Sequence, residues 1–305
     1  MRIGINGSGN LVRPDLDKIL DDVATAEQEG FSSYWLAQTG LADAIGTLGL
    51  AGSRTTTIAV GTAVVPTWTR HPFVAASQAL TAQAALGGRL TLGIGLLHQP
   101  VVEQWLGMKW ERPIRHVLDY LDILQPLLEG GAVEHKGEVW SYSGAAARPT
   151  DTPPPVMLAA LGEQMLRIAG RRCDGTILWC VGPLTLERQI VPLINDAASA
   201  AGRPQPSVVC SLPVWVTDDP GPAKEFVATV FRDYATLPSY RAVLDVEGVP
   251  GIEEISLIGD EDTVRAGLAR LAEAGATDFT GVIMGGNPDE NARGRALLAD
   301  VASSG

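Results

Sequence analysis

Two hydrophobic patterns alternate along almost the whole chain. Short runs rich in β-branched and aromatic residues have the composition of buried strands, and most are followed by a longer stretch whose apolar residues recur at helical spacing. Residues 15–30 illustrate the second pattern, because Ile19, Leu20, Val23 and Ala26 fall on one helix face and a glycine follows at the end. The runs predicted to be strands cover residues 3–7, 33–37, 56–65, 90–95, 156–160, 176–180, 207–216 and 279–284.

Amphipathic stretches separate nearly all of these runs. Eight strands alternating with helices are the count that a (β/α)8 barrel requires, and more than a single dinucleotide-binding fold uses. The sequence therefore predicts an α/β fold, a single TIM barrel over residues 1–305, although the length alone is compatible with two domains of about 150 residues. Two insertions are predicted, a hairpin at 133–142 after the fourth strand and a helical, then irregular segment at about 220–251 after the seventh. The predicted helices cover residues 15–30, 42–52, 73–86, 112–129, 164–171, 184–201, 263–275 and 290–303.

The composition is that of a globular protein, and it narrows the class of partners. Hydrophobic residues make up 46% and charged residues 19% of the chain, and no apolar run approaches the roughly 18 residues that span a bilayer. A net charge of −12 disfavours binding to phosphate backbones and anionic lipids, so neither nucleic acid nor membrane is expected as a partner. Cys173, Cys180 and Cys210 have spacings that suit neither a zinc site nor a disulfide framework, and the amino terminus lacks the pattern of a secretory signal. These features favour a cytoplasmic protein.

Several common catalytic motifs are missing from the sequence. Gly7-Ser8-Gly9 at the end of the first strand imitates the start of a dinucleotide fingerprint, but Val12 stands where a third glycine is needed and Pro14 interrupts the turn. The chain also lacks HExxH, G-x-S-x-G and P-loop sequences, and no carboxylate cluster has convincing metal-ligand spacing, so no metal site is predicted. A barrel without strong catalytic side chains favours a site in which a bound cofactor performs the chemistry.

Polar residues follow the predicted strands at the end where barrels build their active sites. His98 lies just beyond the fourth strand, which favours a role as a proton donor or as a hydrogen-bond partner of a ring heteroatom, although a loop histidine is also commonly structural. Gln38 and Thr39 follow the second strand, where such residues either face the site or cap the next helix. These three residues are the polar candidates for the site.

A glycine-containing turn after the fifth strand leads directly into a helix. Free N–H groups at a helix start, with Gly162 permitting close approach, form a site for an anion that requires no lysine, although many helix starts bind only water. The sequence predicts this anion site at residues 161–165.

Four strings carry a resemblance that covers almost the whole chain, in the order GTAVVPTWTRHP, GGRLTLGIG, LGMKWERPIRHVLDYLDILQPLLEGG and LAALGEQMLRIAGRRCDGTI. Together they resemble the luciferase-like monooxygenase superfamily, and within it the actinobacterial branch of coenzyme F420-dependent oxidoreductases. The resemblance implies a TIM barrel with a deazaflavin, or FMN in sister branches, across its carboxyl-terminal mouth, a non-prolyl cis peptide at Ala63-Val64 that supports the ring, and a homodimer. The residues assigned to cofactor binding are Gln38, Thr39, Ala63, Val64, Val65, Leu96, Leu97, His98, Leu161, Gly162, Glu163, Gln164 and Met165.

Departures from the family pattern bear on the reaction. In the sugar-phosphate dehydrogenases of this superfamily an Asp-His pair and a Glu serve proton transfer, whereas the matching positions here are Gln38, Thr39 and His98. Gln38 and His98 are therefore the predicted catalytic residues, and the expected reaction is hydride transfer between C5 of F420 and a small organic substrate with an activated C=C, C=N or carbonyl group, or an alcohol. Two alternatives stay open: an FMN-dependent monooxygenase, and a flavin- or deazaflavin-binding protein without catalytic activity.

Overall fold

The computed structural model describes residues 1–304 of the chain. Its parallel strands close into an eight-stranded barrel, because the last strand pairs on one side with the first, Ile3 opposite Phe279, and on the other side with the strand that contains Cys210. This closure confirms the predicted TIM barrel. In chain order the strands are β1 (Arg2–Asn6), β2 (Ser33–Leu36), β3 (Ala59–Thr62), β4 (Val65–Pro66), β5 (Leu90–Gly95), β6 (Val133–Lys136), β7 (Ser141–Gly144), β8 (Val156–Leu158), β9 (Gly175–Trp179), β10 (Ser207–Val216), β11 (Leu257–Gly259) and β12 (Asp278–Ile283). Around the barrel the order is β1, β2, β3, β5, β8, β9, β10 and β12.

Helices surround the barrel and bury their apolar faces. They are α1 (Leu16–Gln28), α2 (Ala44–Ala51), α3 (Pro72–Ala85), α4 (Pro113–Glu129), α5 (Glu163–Arg172), α6 (Pro183–Thr185), α7 (Val191–Ala200), α8 (Pro220–Val230), α9 (Pro238–Glu247), α10 (Glu261–Glu273) and α11 (Pro288–Ser304). At the start of α1, the Asp15 side chain accepts a hydrogen bond from the N–H of Lys18, and the predicted apolar face, including Ile19 and Val23, is buried. Of the helices in residues 1–304, none is both long and apolar enough to cross a membrane.

Three segments differ from the sequence prediction. The single strand expected at 56–65 is divided into β3 and β4, and the peptide bond between Ala63 and Val64 in the interruption is cis. The segment 220–251, expected to be irregular after its first helix, contains the second helix α9. The short strand β11 was not predicted, because three residues are too few to show an alternating pattern and the pairing of Ile258 with Trp215 in β10 defines the strand.

A buried carboxylate holds the antiparallel hairpin of β6 and β7 against α4. Asp119 has no exposed surface, and its Oδ1 accepts a hydrogen bond from Arg115 Nε at 2.8 Å and lies 3.3 Å from His135 Nε2. The N–H groups of Val139 and Trp140, which follow β6, donate to Oδ2 at 2.8 and 3.3 Å. Burial raises the pKa of Asp119, but these donors outweigh it and bring the pKa to about 2.

We predict that Asp119→Asn lowers the stability of the protein at neutral pH, because an amide presents an N–H donor where donors already converge. The pKa of Asp119 is about 2 in the folded protein and 3.8 ordinarily, so the carboxylate contributes fully to the free energy of unfolding above pH 3.8. That contribution, about 2 kcal/mol, is lost as the pH falls toward the folded pKa. The denaturant midpoint, measured for both proteins from neutral to strongly acidic pH, should show a difference that shrinks as the pH falls. Glu129→Gln, on the exposed side of the same helix, is the matched control, and an equal loss in both variants would contradict this account.

Candidate active site at the barrel mouth

One large cavity opens at the carboxyl ends of the barrel strands. Its volume is about 2080 Å³, and it is lined from all sides of the barrel by residues such as Asn6, Ala37, Gly95, Trp179 and Ile283, at or just after the ends of five strands. A small-molecule site usually takes roughly 300–1,000 Å³. The cavity therefore has room for a cofactor and a substrate together.

The interruption between β3 and β4 forms one side of this cavity. Ala63 and Val64 are partly buried there, line the cavity, and are joined by the cis peptide bond that the family resemblance implies. The N–H of Ala63 donates to the carbonyl oxygen of Leu36 at 2.9 Å, and the carbonyl oxygen of Val64 accepts from the N–H of Gln38 at 3.0 Å. A Cβ added at Gly95 would lie 2.7 Å from Val64 Cγ2, so glycine is needed for β5 to approach this closely.

The side chain of Gln38 is engaged in the loop between β2 and α2. Its Nε2 donates to the carbonyl oxygens of Gly40 at 2.6 Å and Ala42 at 3.0 Å, and its Oε1 accepts from the N–H of Ala44 at 3.0 Å. These contacts are the ones expected if Gln38 caps the start of α2, which was one of the two roles predicted for it. Gln38 and the exposed Thr39 both line the cavity, but a catalytic role for the Gln38 amide would require these bonds to break, and that role stays a prediction.

Arg70 is the only lysine or arginine among the cavity-lining residues within 1–304. Its guanidinium donates to Gln38 Oε1 at 2.9 Å and to Gln78 Oε1 at 3.1 Å, and it forms an ion pair with Asp43. Because Asp43 neutralises this charge, Arg70 offers the cavity no free cation for an anionic ligand.

His98 follows β5 and lies against two aromatic rings at the cavity. Its ring centroid is 5.9 Å from that of Tyr234 and 5.7 Å from that of Tyr240, and both contacts are edge-to-face. Leu96 and Leu97, which precede it, also line the cavity, and Leu97 adopts a left-handed φ of 65°. Burial lowers the pKa of His98 below its ordinary 6.5, so the ring is neutral at neutral pH and offers one donor and one acceptor nitrogen.

The start of α5 lies at the edge of the cavity. Gly162 is its N-cap residue, no side chain caps the helix there, and an added Cβ would meet nothing within 4 Å. Leu161, Gly162 and Met165 line the cavity, whereas the Glu163 side chain is exposed and pairs with Arg167 at 2.8 Å. The first N–H groups of a helix lack intrahelical partners, so this open helix start fits a phosphate group.

The structure brings most of the predicted cofactor-binding residues to this one cavity. Three of them do not line it: Val65 is buried in β4, and Glu163 and Gln164 are exposed on α5. The ten that line it are Gln38, Thr39, Ala63, Val64, Leu96, Leu97, His98, Leu161, Gly162 and Met165.

Four aromatic residues on another side of the cavity were not predicted from the sequence. Trp179 ends β9, Phe231 follows α8, Tyr234 lies in a short 3-10 turn, and Tyr240 belongs to α9; all four line the cavity. For the last three, the length of the segment 220–251 was a signal in the sequence, but it did not show which side chains turn inward.

A group of potential metal ligands lies outside the cavity. Its members are Asp119, Asp122 and His135, and each has one possible ligand atom within 4.8 Å of those of the other two. Arg115 pairs with Asp119, and Arg172 pairs with Asp122 at 2.8 Å. Since both carboxylates already have cationic partners, the group is an ion-pair network between α4, the hairpin and α5.

The sequence model of the family described as luciferase-like monooxygenase matches residues 3–278. The chain belongs to the luciferase-like monooxygenase family. Among the curated relatives of this luciferase-like chain, the 5,10-methylenetetrahydromethanopterin reductase of Methanolobus tindarius is 25% identical over 233 residues, which cover 76% of this chain and 71% of the relative.

Two solved structures share the fold of this luciferase-like chain. The coenzyme F420-dependent tetrahydromethanopterin reductase of Methanopyrus kandleri superposes with a TM-score of 0.78 at 22% identity and covers 98% of this chain and 97% of its own. The oxygenating constituent of 3,6-diketocamphane monooxygenase from Pseudomonas putida, solved with FMN, superposes with a TM-score of 0.76 at 18% identity and covers 100% of this chain and 98% of its own. At these identities the likeness shows the fold alone.

We predict that His98 of this luciferase-like protein titrates below its ordinary pKa of 6.5, because burial penalises the imidazolium. The unfolded chain then binds this proton more readily than the folded protein, so acidification through that range should reduce stability. A pH titration of the histidine ring signals by NMR measures the midpoint, with His98→Gln to assign the signal and the urea-unfolded protein as control. A folded-state midpoint at or above that of the unfolded chain would show that the ring is not desolvated as the structure implies.

Proposed function

We propose that this luciferase-like protein is a coenzyme F420-dependent oxidoreductase. When bound, F420 would supply hydride transfer between its C5 and a small organic substrate, donating the hydride to an activated C=C, C=N or carbonyl group or accepting it from an alcohol. One observation carries the proposal. The interruption at Ala63-Val64, the turn from Leu96 to His98 and the start of α5 are far apart in sequence, match the family's cofactor contacts, and line one cavity. The Methanolobus tindarius relative, a methylenetetrahydromethanopterin reductase, supports the choice of a reductase.

The chain would hold such a cofactor mainly through its backbone and small side chains. The start of α5 at Gly162 fits the phosphate, while Ala63, Val64 and the turn at Leu96 and Leu97 fit the ring. The protein has a net charge of −12, and Arg70, the single arginine lining the cavity within residues 1–304, is already paired. An anionic cofactor would therefore be bound by N–H groups at the helix start and not be attracted by a positive field.

His98 is the proposed catalytic residue, and it acts on the proton rather than on the hydride. Its neutral ring donates a hydrogen bond to a substrate oxygen or nitrogen, and because burial lowers its pKa, the protonated ring is a stronger acid than a solvent-exposed histidine. The remaining rate acceleration comes from confinement, since the aromatic and aliphatic residues that line the cavity limit the orientations of the substrate.

We expect the purified protein to bind F420 more tightly than FMN, because the proposed function assigns the cavity to the deazaflavin. Fluorescence titration with each compound at equal ionic strength measures both dissociation constants. Tight binding of FMN without binding of F420, together with oxygen consumption in the presence of a flavin reductase, would contradict this proposal and favour the FMN-dependent monooxygenase.

We expect Gly162→Asp to weaken the binding of phosphate-bearing cofactors by about tenfold or more, because a carboxylate at the N-cap satisfies the helix-start N–H groups and repels the phosphate. The backbone angles of Gly162, φ −81° and ψ 151°, suit an aspartate N-cap, and the space beside it is open. The variant should therefore fold with unchanged or higher stability. Isothermal titration with F420 and FMN measures the loss.

Two controls make this prediction specific. Gly162→Ala adds only a Cβ in open space and should keep cofactor affinity near that of the wild type. Riboflavin, which lacks the phosphate of FMN, should bind both proteins equally. If Gly162→Asp left the affinity for F420 and FMN unchanged, the start of α5 would not be the phosphate site.

Two other candidate functions have specific observations in their favour. The fold shared with the FMN-bound monooxygenase constituent from Pseudomonas putida favours an oxygen-using enzyme. The amide of Gln38 is occupied by hydrogen bonds within its own loop. Because the family pattern has an acidic residue for proton transfer at this position, its replacement by an engaged amide favours a cofactor-binding protein without catalytic activity. We also propose, from the family resemblance, that the protein is a homodimer and that it is cytoplasmic. Sedimentation of the purified protein would test the dimer.

A further inference from the structure

A continuous row of aromatic side chains forms one side of the cavity, and we call it the aromatic wall: Trp179, Phe231, Tyr234 and Tyr240. Ring centroids are 5.5 Å apart between Trp179 and Phe231, 6.0 Å between Phe231 and Tyr234, and 5.0 Å between Tyr234 and Tyr240. The interplanar angles of 68°, 70° and 85° show edge-to-face packing, the favourable arrangement for aromatic pairs. The wall therefore presents a continuous aromatic surface to a ligand.

The charges around the cavity disfavour an anionic substrate at the aromatic wall. Arg70, the single lysine or arginine lining it in the part of the chain that the structure describes, is paired with Asp43. Glu103, also at the cavity, is exposed and accepts a hydrogen bond from Gln99 Nε2 at 3.1 Å. A carboxylate or phosphate on the substrate would lose its hydration without gaining a cation, in a protein of net charge −12.

The wall also carries a hydroxyl group that makes no hydrogen bond with the described residues. The Tyr240 side chain is only 6% exposed and lines the cavity. Its hydroxyl has no hydrogen-bond partner among residues 1–304 and is not one of the fully enclosed polar atoms there, so it is accessible from the cavity. Burial raises the pKa of Tyr240 well above its ordinary value and raises that of Tyr234 too, so both stay protonated at neutral pH and are able to donate. The hydroxyl of Tyr240 is therefore free to donate to an oxygen of a ligand.

We propose that the substrate is an uncharged aromatic or conjugated molecule with a carbonyl or hydroxyl oxygen, which packs on the aromatic wall and accepts a hydrogen bond from Tyr240. This inference rests on the proposed function only in assigning the part of the cavity beside the aromatic wall to an organic substrate. It adds the substrate class and names the wall and Tyr240 as the residues that select it. His98 packs against Tyr234 and Tyr240, which places the proposed catalytic ring beside the bound oxygen.

The test is equilibrium binding by isothermal titration, with and without saturating F420, and it uses four probes of similar size. Acetonaphthone is neutral, aromatic and has a ketone; ethylnaphthalene lacks the oxygen; naphthoate is an anion; decahydronaphthyl methyl ketone lacks the aromatic rings. We expect acetonaphthone to bind most tightly of the four. Binding of naphthoate or of decahydronaphthyl methyl ketone as tight as that of acetonaphthone, or no binding of acetonaphthone, would overturn the proposal.

Variants separate the hydrogen bond from the aromatic packing. Tyr240→Phe should weaken acetonaphthone about fivefold, the effect of one neutral hydrogen bond, and leave ethylnaphthalene unchanged. Phe231→Leu should weaken acetonaphthone and ethylnaphthalene by about threefold or more. Tyr142→Phe, on the hairpin away from the cavity, is the matched control and should change neither. Unchanged acetonaphthone affinity in Tyr240→Phe would overturn the assigned hydrogen bond.

The proposed cofactor is tested independently of these measurements. A failure to bind F420 would overturn the proposed function while the probe affinities and their response to Tyr240→Phe still decide the substrate class. Conversely, F420 binding with no selectivity among the four probes would overturn only the inference made here.

Discussion

The mouth of the barrel depends on how closely β5 approaches β3. Thr62 Oγ1 donates to the carbonyl oxygen of Gly93 at 2.7 Å and accepts from its N–H at 2.8 Å, so a side chain joins the two strands near the point where β3 is interrupted. A Cβ at Gly93 would lie 1.9 Å from the carbonyl oxygen of Thr62, and one at Gly95 would press on Val64. Only glycine at both positions permits this spacing, which sets the small side chains of the interruption beside the turn that carries His98.

The site built on this contact has little charge of its own. The one arginine at the cavity is paired with Asp43, burial keeps His98 neutral, and the buried tyrosines stay protonated. An anionic group on a cofactor must therefore be bound by backbone N–H groups at a helix start, and the rest of the cavity suits uncharged groups. The same acidic chain thus provides an anion site and an uncharged substrate site in one cavity.

Long, regular elements were predictable because their patterns are local. The face of α1 and the run that becomes β10 are visible in the order of apolar residues alone, and eight such strands with intervening helices are enough to predict the barrel. The strand β11 and the helix α9 were missed. The first is too short to show a period, and the ten residues of the second bury only Tyr240, Val243 and Leu244, which are too few to show a helical period.

For this protein the sequence by itself determined the barrel, because strand ends and helix starts are fixed by local signals. Its resemblance to a known family gave the family and the cofactor-binding candidates, most of which line the cavity. The tertiary structure alone decided how individual side chains are used. It engaged the amide of Gln38 in its own loop, turned Tyr234 and Tyr240 toward His98, and left the hydroxyl of Tyr240 without a partner. The contacts of His98 join residues more than a hundred positions apart, and the bonds of Gln38, although local, depend on the conformation of its loop. No local pattern of apolar and polar residues encodes either.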